Sequence, residues 1–118
     1  MDFQLSEELI AVRDLARDFA EKEIAPTAPQ DDRERKFRKE LLLKMGDLGF
    51  FGTVIPENYG GNGLGFLAMA LVTEEVARVH SAVRVAINMQ IGPALALLQF
   101  GNEEQKIKWM QHLNSSLK

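Results

Sequence analysis

The chemically unusual part of this sequence is an apolar stretch that contains two closely spaced polar side chains. Residues 82–100 include only four polar side chains, and two of them, Arg84 and Asn88, are four positions apart. On a helix this spacing places both side chains on one face. Because a buried guanidinium without a partner is very costly, Arg84 must either meet an acceptor from another helix or line a cavity. A structural role and a ligand-binding role are both open at this point.

The same stretch is apolar enough to raise the question of a membrane span. Its length is borderline for crossing a bilayer, and Arg84, Asn88, Gly92 and Pro93 all argue against a span. A helix that is apolar all round is usually the buried centre of a bundle, so we expect a core helix and no membrane. Pro93 is expected to kink this helix, and Gly92 would let another backbone or a ligand approach closely.

Other motifs in the sequence indicate little chemistry. The chain has no cysteine and only two histidines, which excludes thiolate chemistry and makes a metal site unexpected. Residues 63–68 match the G-x-G-x-x-A dinucleotide pattern, but no strand is predicted directly before them, so we interpret them as a tight turn. Glu74 and Glu75 are adjacent and point about 100° apart on a helix, so they do not form an acid–base pair. No catalytic residue is predicted.

The composition is typical of one globular domain. The 118 residues are 46% hydrophobic and 26% charged, which is enough for one core and too short for two ordinary domains. The net charge of −3 lacks the basic excess that nucleic-acid binding requires. No basic region leads into a short apolar segment at the start, so we expect no secretion signal and a cytoplasmic location.

The spacing of apolar residues predicts an all-α fold, an orthogonal or up-down bundle of about five helices. The predicted helices lie between Ser6 and Pro26, over about residues 38–48 and 66–79, between Ser81 and Phe100, and after Asn102. The mixed-charge segment 30–36 is expected to be a solvated loop, and segment 50–55 an isolated extended stretch.

Several local contacts are also predicted. Ser6 and Ser81 are expected as N-caps, and Gly49 as the glycine that follows a helix end. Asn102 and Gln105 fit a variant capping box. Glu74 and Arg78 are spaced for an ion pair on the third helix. The last helix is expected to turn its apolar residues inward, namely Ile107, Met110 and Leu113.

Four motifs stand in an order that is more specific than any one of them. They are LGFFG at 48–52, IPENYGGNG at 55–63, EEVAR at 74–78 and GNEEQK at 101–106. Their order and spacing resemble the acyl-CoA dehydrogenase family. The resemblance implies the family's N-terminal helical domain over residues 1–113, with a divergent tail at 114–118. The family's middle β-domain and C-terminal helical domain would be absent from this chain.

The stretch SAVRVAINMQ at 81–90 resembles the glutaryl-CoA dehydrogenase branch of that family. In that branch, an arginine at the position of Arg84 holds the distal carboxylate of the acyl group. The resemblance therefore implies a substrate-binding role for Arg84, Val85, Asn88 and Met89. The branch has a glutamate where Ala77 stands and a serine where Val85 stands, so another dicarboxyl or cyclic acyl group, or a merely structural arginine, is an alternative.

The family resemblance also implies a reaction and its partners. The reaction is α,β-desaturation of an acyl-CoA thioester by FAD, with electrons passed to an electron-transferring flavoprotein. The family's catalytic glutamate and most FAD contacts belong to the two absent domains, so the chain alone is expected to be inactive and its own flavin contacts are unknown. The full-length form is expected to be a homo-oligomer, a tetramer or dimer. The alternative function is a standalone helical interaction or scaffold domain without catalysis.

Overall fold

Helix follows helix along this chain. The computed structural model describes residues 2–114, and within that range it contains six α-helices and no strand. The helices are α1 (Glu7–Phe19), α2 (Ala28–Glu34), α3 (Lys39–Asp47), α4 (Phe66–Val79), α5 (Ser81–Phe100) and α6 (Glu103–Asn114). A π-helical turn, Ala20–Ile24, continues α1, and a 3-10 turn, Glu57–Tyr59, lies in the loop before α4. The predicted all-α class is confirmed. Residues 115–118 of the predicted divergent tail lie outside the described range.

The main core lies between α1, α3, α4 and α5. Helix α1 packs on α4, and α4 packs on α5, which in turn contacts α6. The interface is built from side chains at helical spacing, as the periodicity predicts. The core members include Ala16, Phe19, Ile24, Met45, Phe51, Val72, Val76, Ile87 and Ile91. Burying each large apolar side chain contributes about 1.5–3 kcal/mol, so this interface supplies most of the favourable energy.

Helix α2 was not predicted, and it raises the helix count from about five to six. The segment expected to be a solvated loop forms a short helix instead, with Pro29 in its first turn and Arg35 as a left-handed C-cap at φ 55°. Asp31 is buried, and it accepts hydrogen bonds from Nε and Nη2 of Arg38 at 2.6 and 2.9 Å. The guanidinium holds the pKa of Asp31 below its ordinary value. The charge run is therefore tied to the start of α3 through the buried carboxylate of Asp31, which the solvated-loop interpretation missed.

The loop between α3 and α4 is ordered by backbone hydrogen bonds rather than by a sheet. The N–H groups of Asn62 and Gly65 donate to the carbonyls of Gly52 and Thr53 at 3.0 and 2.8 Å. A Cβ at Gly61 would lie 2.1 Å from the Ile55 carbonyl oxygen, so this position requires glycine. Gly49, at φ 82°, follows the end of α3 as predicted. The segment expected to be extended consists largely of turns.

Three local predictions concern the helices nearest the two ends of the chain, α1 and α6. Ser6 accepts a hydrogen bond from the Leu9 N–H at 3.2 Å, so the predicted first N-cap is confirmed. The Asn102–Gln105 capping box is also confirmed, with reciprocal bonds of 2.9 and 3.0 Å. On α6, Met110 is buried and Leu113 half-buried, but Ile107 is 70% exposed. Its predicted inward orientation is wrong, because the buried face of this helix is narrower than the apolar pattern suggests.

Helix α5 is not the buried centre of the bundle, contrary to the sequence-based expectation. One face is buried through Val83, Ile87, Ile91 and Ala94. The opposite face is exposed and largely apolar, with Met89 at 68% and Phe100 at 80% exposure. By length and composition, with a mean hydropathy of 1.3, this helix could cross a membrane, although core helices of soluble proteins pass the same test. The expectation of no membrane stays a prediction. The helix continues through Pro93 to Phe100.

Candidate functional site

The exposed face of α5 carries all four residues that the sequence predicts to bind substrate. Arg84 and Asn88 are four positions apart, as are Val85 and Met89, so the two pairs lie side by side on one broad face of the helix. Arg84 is half-buried, whereas Asn88, Val85 and Met89 are exposed. The structure thus brings the predicted residues together on one surface. Among the described residues, no side-chain hydrogen bond joins them to one another.

Arg84 differs from three arginines that bind carboxylates of the fold. Arg17, Arg38 and Arg78 each pair with a carboxylate within 3.4 Å. The guanidinium of Arg84 instead donates from Nη2 to the hydroxyl of Ser81 at 2.9 Å, and in residues 2–114 it forms no ion pair. Its positive charge is therefore oriented by a neutral group and is not neutralised. A structural partner on another helix, one of the two sequence-based alternatives, is not found in this range.

Ser81 also belongs to this site, although the sequence predicted only a helix-capping role for it. It was predicted to be the N-cap of α5, but His80 occupies that position and Ser81 is the first helical residue. The carbonyl of His80 accepts from the N–H groups of Val83 and Arg84 at 3.2 and 3.3 Å. The hydroxyl of Ser81 is thereby free to accept from Arg84. The three-residue spacing of Ser81 and Arg84 is the sequence signal that could have revealed this contact.

The turn that starts α5 is anchored through a buried carboxylate on α4. Glu75 is 5% exposed and accepts from Nε and Nη2 of Arg17 on α1 at 3.2 and 2.9 Å. It also accepts from Nε of Arg78 at 3.4 Å, and Arg78 reaches Glu21 at 2.9 Å. The bond from Arg17, followed by that from Arg78, lowers the pKa of Glu75 against the opposing effect of burial. This network fixes the end of α4. Only His80 separates that end from the first residue of α5.

The predicted Glu74–Arg78 ion pair is therefore wrong. Among the described residues, Arg78 pairs with Glu75 and Glu21, while Glu74 is exposed. The reason is the packing of α1 on α4, which places Arg17 and Glu21 beside the face that carries Glu75. The expectation that the two adjacent glutamates do not converge agrees with these different environments.

Two cavities lie close to the α1–α4 core, and neither is lined by the four predicted residues. One, of about 350 Å³, lies between α1 and α3, with Leu15, Phe19 and Leu48 in its wall. The other, of about 300 Å³, lies between α2 and the α4–α5 junction and includes Asp32, His80 and Ser81. The candidate substrate surface lies on the exposed face of α5, outside both of these cavities. A Cβ at Gly92 would meet nothing within 4 Å, so no described part of the chain uses the space there.

No metal cluster is found in residues 2–114, and the glycine motif at 63–68 lacks the context of a dinucleotide site. No group of three or more His, Asp or Glu side chains in that range could hold a metal ion. Residues 63–68 open α4, but no strand precedes them in the described chain, and Phe66 and Leu67 project into solvent. These residues do not fit a dinucleotide-type phosphate site.

Comparison with known proteins identifies the family to which this helical domain belongs. The sequence profile of the acyl-CoA dehydrogenase N-terminal domain matches residues 6–116. The chain belongs to the acyl-CoA dehydrogenase family. The family resemblance drawn from the four ordered motifs is thereby confirmed, and the helical fold is that of the family's N-terminal domain.

Individual members of the family support the resemblance to glutaryl-CoA dehydrogenase. The glutaryl-CoA dehydrogenase of Desulfococcus multivorans is 48% identical over 98% of this chain and 31% of its own length. A solved glutaryl-coenzyme A dehydrogenase–glutaryl-CoA complex matches with a TM-score of 0.94 at 49% identity, over 98% of this chain and 30% of the other. A chain in a structure of the electron transferring flavoprotein of Acidaminococcus fermentans matches with a TM-score of 0.93 at 36% identity, over 98% and 30%.

This chain spans about a third of the length of the curated relatives that it matches. Those relatives are acyl-CoA dehydrogenases, which are oxidoreductases.

Proposed function

We propose that this chain is the acyl-binding N-terminal domain of an FAD-dependent acyl-CoA dehydrogenase that acts on glutaryl-CoA or another dicarboxyl acyl-CoA. The observation that carries the proposal is Arg84, whose guanidinium is oriented on the exposed face of α5 without a carboxylate partner among the described residues. The similarity to a glutaryl-coenzyme A dehydrogenase–glutaryl-CoA complex supports the choice of acyl group.

The chemistry of a dicarboxyl acyl group matches this surface. A guanidinium can bind a carboxylate through two parallel charge-assisted hydrogen bonds, and the substrate would supply the counter-charge that the chain does not. Val85 and Met89, at 42% and 68% exposure, offer apolar contact for the methylene carbons. The amide of Asn88 provides a further donor and acceptor on the same face. Arg84 would bind and orient the acyl group and take no part in proton transfer.

The remaining chemistry is proposed for the part of the relatives that this chain does not match. A base would remove the α-proton, and FAD would accept the β-hydrogen as hydride. An electron-transferring flavoprotein is the proposed electron acceptor, which the fold match to a chain in the Acidaminococcus fermentans structure supports. We assign no flavin contact to residues 2–114.

The test is a chimaera in which this chain replaces the matching segment of the Desulfococcus multivorans enzyme. Arg84→Gln removes the charge and keeps a polar side chain. Because a charge-assisted pair is worth about 1.5–3 kcal/mol, kcat/KM for glutaryl-CoA should fall by about 10–100-fold. Turnover of butyryl-CoA, which has no distal carboxylate, should change little. Arg33→Gln, at an exposed arginine on α2, is the matched control.

An equal loss on both substrates would exclude a carboxylate-binding role for Arg84. Unchanged selectivity in Arg84→Gln would do the same. The control should leave both substrates unaffected, since Arg33 lies on α2 and away from the exposed face of α5.

The exposed apolar face of α5 favours a second candidate function, a helical interaction domain without catalysis. Val85, Met89 and Phe100 would then contact a protein partner. The gene sequence beyond codon 118 separates the two functions. An in-frame continuation into further dehydrogenase domains supports the enzyme, and a stop codon there supports the interaction domain.

A further inference from the structure

Within residues 2–114, the polar contact of the Arg84 guanidinium is with the hydroxyl of Ser81, at 2.9 Å. Ser81 is exposed and is the first residue of α5, so both groups lie in the opening turn of a 20-residue helix. The bond spans three positions of the same helix, which makes it independent of the packing of other elements.

This position is electrostatically unfavourable for a cation. The first turn of a helix carries a partial positive charge, and it favours anions over a guanidinium. Left to itself, the Arg84 side chain would gain by turning away into solvent. The Ser81 oxygen, as a hydrogen-bond acceptor, offsets this tendency and holds the guanidinium near the helix start.

The choice of a hydroxyl as acceptor has a consequence for ligand binding. A carboxylate in the place of Ser81 would neutralise Arg84 and compete with an incoming anion. A neutral hydroxyl orients the guanidinium and leaves its charge available, as well as four of its five N–H donors. The positive charge of the guanidinium then adds to the partial positive charge of the α5 start, and both favour an anion near this turn.

We infer that Ser81 is a positioning residue that holds the Arg84 guanidinium ready for the distal carboxylate of the acyl group. The inference rests on the proposed function for its substrate, but the orientation itself belongs to this chain. Loss of the hydroxyl should release the side chain, and binding should then include the entropy of ordering it again.

The first test uses the 118-residue chain and measures side-chain order at Arg84 by NMR relaxation of its Nε–Hε group. Ser81→Ala should lower the order parameter of Arg84, and Ser81→Thr, which keeps a hydroxyl, should restore it. Ser6→Ala is the matched control, since it removes a helix-start hydroxyl that binds a backbone N–H and not Arg84. An Arg84 order parameter that does not change in Ser81→Ala would overturn the inference.

The second test measures selectivity in the chimaera. Ser81→Ala should raise KM for glutaryl-CoA by about tenfold, the expected effect of losing one hydrogen bond to a charged group, with kcat nearly unchanged. KM for butyryl-CoA should stay constant, and Ser81→Thr should recover most of the loss. A merely structural role of Ser81 would change both substrates alike and would contradict the inference.

Comparison with Arg84→Gln distinguishes the two proposals. If Arg84→Gln retains the preference for glutaryl-CoA, the proposed function fails. If Arg84→Gln loses that preference but Ser81→Ala keeps the wild-type KM, only the positioning role of Ser81 fails.

Discussion

At the scale of single residues, two buried carboxylates and the half-buried Arg84 are held in different ways. Asp31 and Glu75 are buried and bound by arginines, so their charges are used within the fold. Arg84 is held by a hydroxyl and pairs with no carboxylate among the described residues. Since an unpaired buried charge is disfavoured, this difference separates groups that stabilise the domain from a group that is available to a ligand.

Glu75→Gln should destabilise the domain. The substitution keeps the size of the side chain but removes the charge that Arg17 and Arg78 share. Both arginines are about half exposed, at 50% and 49%, so solvent compensates them in part. We expect a loss of about 2 kcal/mol in the free energy of unfolding, measured by urea denaturation. Glu74→Gln, at the exposed neighbour, is the control and should change stability by less than about 0.5 kcal/mol.

The same residue predicts a pH dependence. Because the pKa of Glu75 in the folded chain lies below its ordinary value of 4.5, its contribution is complete above that pH and is lost as the pH falls through the folded value. Stability should therefore decline in acid, and the decline should be shallower in Glu75→Gln. Part of the acid-induced loss of stability should remain in Glu75→Gln, because the pKa of Asp31 is also lowered in the folded chain. Parallel stability–pH curves for the two proteins would contradict this assignment.

At the scale of elements, local sequence signals predicted helix ends well, and long-range packing escaped them. The bounds of α4 and the capping box of α6 are encoded within a few residues, and both are confirmed. The Arg17–Glu75 pair depends on residues that meet only in the folded chain, 58 positions apart. The missed α2 helix is held by a closer pair, Asp31 and Arg38, seven positions apart. For the site, the shared face of Arg84 and Asn88 followed from periodicity. The contact with Ser81 did not, because a helix-start serine is usually assigned to capping.

Two glycines should respond differently to substitution by alanine. Gly92 lies in the interior of α5 directly before Pro93, and apart from its chain neighbours and the helix's own backbone an added Cβ would meet nothing within 4 Å. Gly92→Ala should change stability by less than about 1 kcal/mol, because the better helix propensity of alanine is opposed by contact of its Cβ with the Pro93 ring. Gly61→Ala should destabilise the chain more strongly, since the new Cβ would lie 2.1 Å from a backbone oxygen. Thermal denaturation followed by circular dichroism measures both effects. Equal losses of stability in the two variants would contradict this prediction.

At the scale of the whole molecule, one side of the domain is closely packed and another exposes apolar side chains. The side formed by α1 and α4 is closed by core packing and by the Glu75 network. The outer face of α5 exposes apolar side chains that a stable soluble surface rarely groups together. The chain matches about a third of its relatives' length, which is consistent with a face that serves a larger enzyme.

The purified 118-residue chain should carry no bound flavin and show no dehydrogenase turnover. The expectation follows from the family resemblance, which implies that the catalytic glutamate and most FAD contacts lie outside the third of the relatives' length that this chain matches. The visible absorbance spectrum of the protein, purified in the presence of added FAD, measures it. The chimaera, purified in parallel, is the control and should be yellow. A flavin absorbance band that stays with the short chain through gel filtration would contradict the prediction.

The bond between Arg17 and Glu75 also bears on how the domain forms during synthesis. Helix α1 leaves the ribosome before α4, and the carboxylate that neutralises Arg17 lies on α4, 58 residues later. At about 5–20 residues per second, that interval lasts roughly 3 to 12 s. For this time α1 lacks the α4 side chains that cover part of its apolar stripe. Its early acidic and basic residues then keep the emerging chain in solution until α4 arrives to dock.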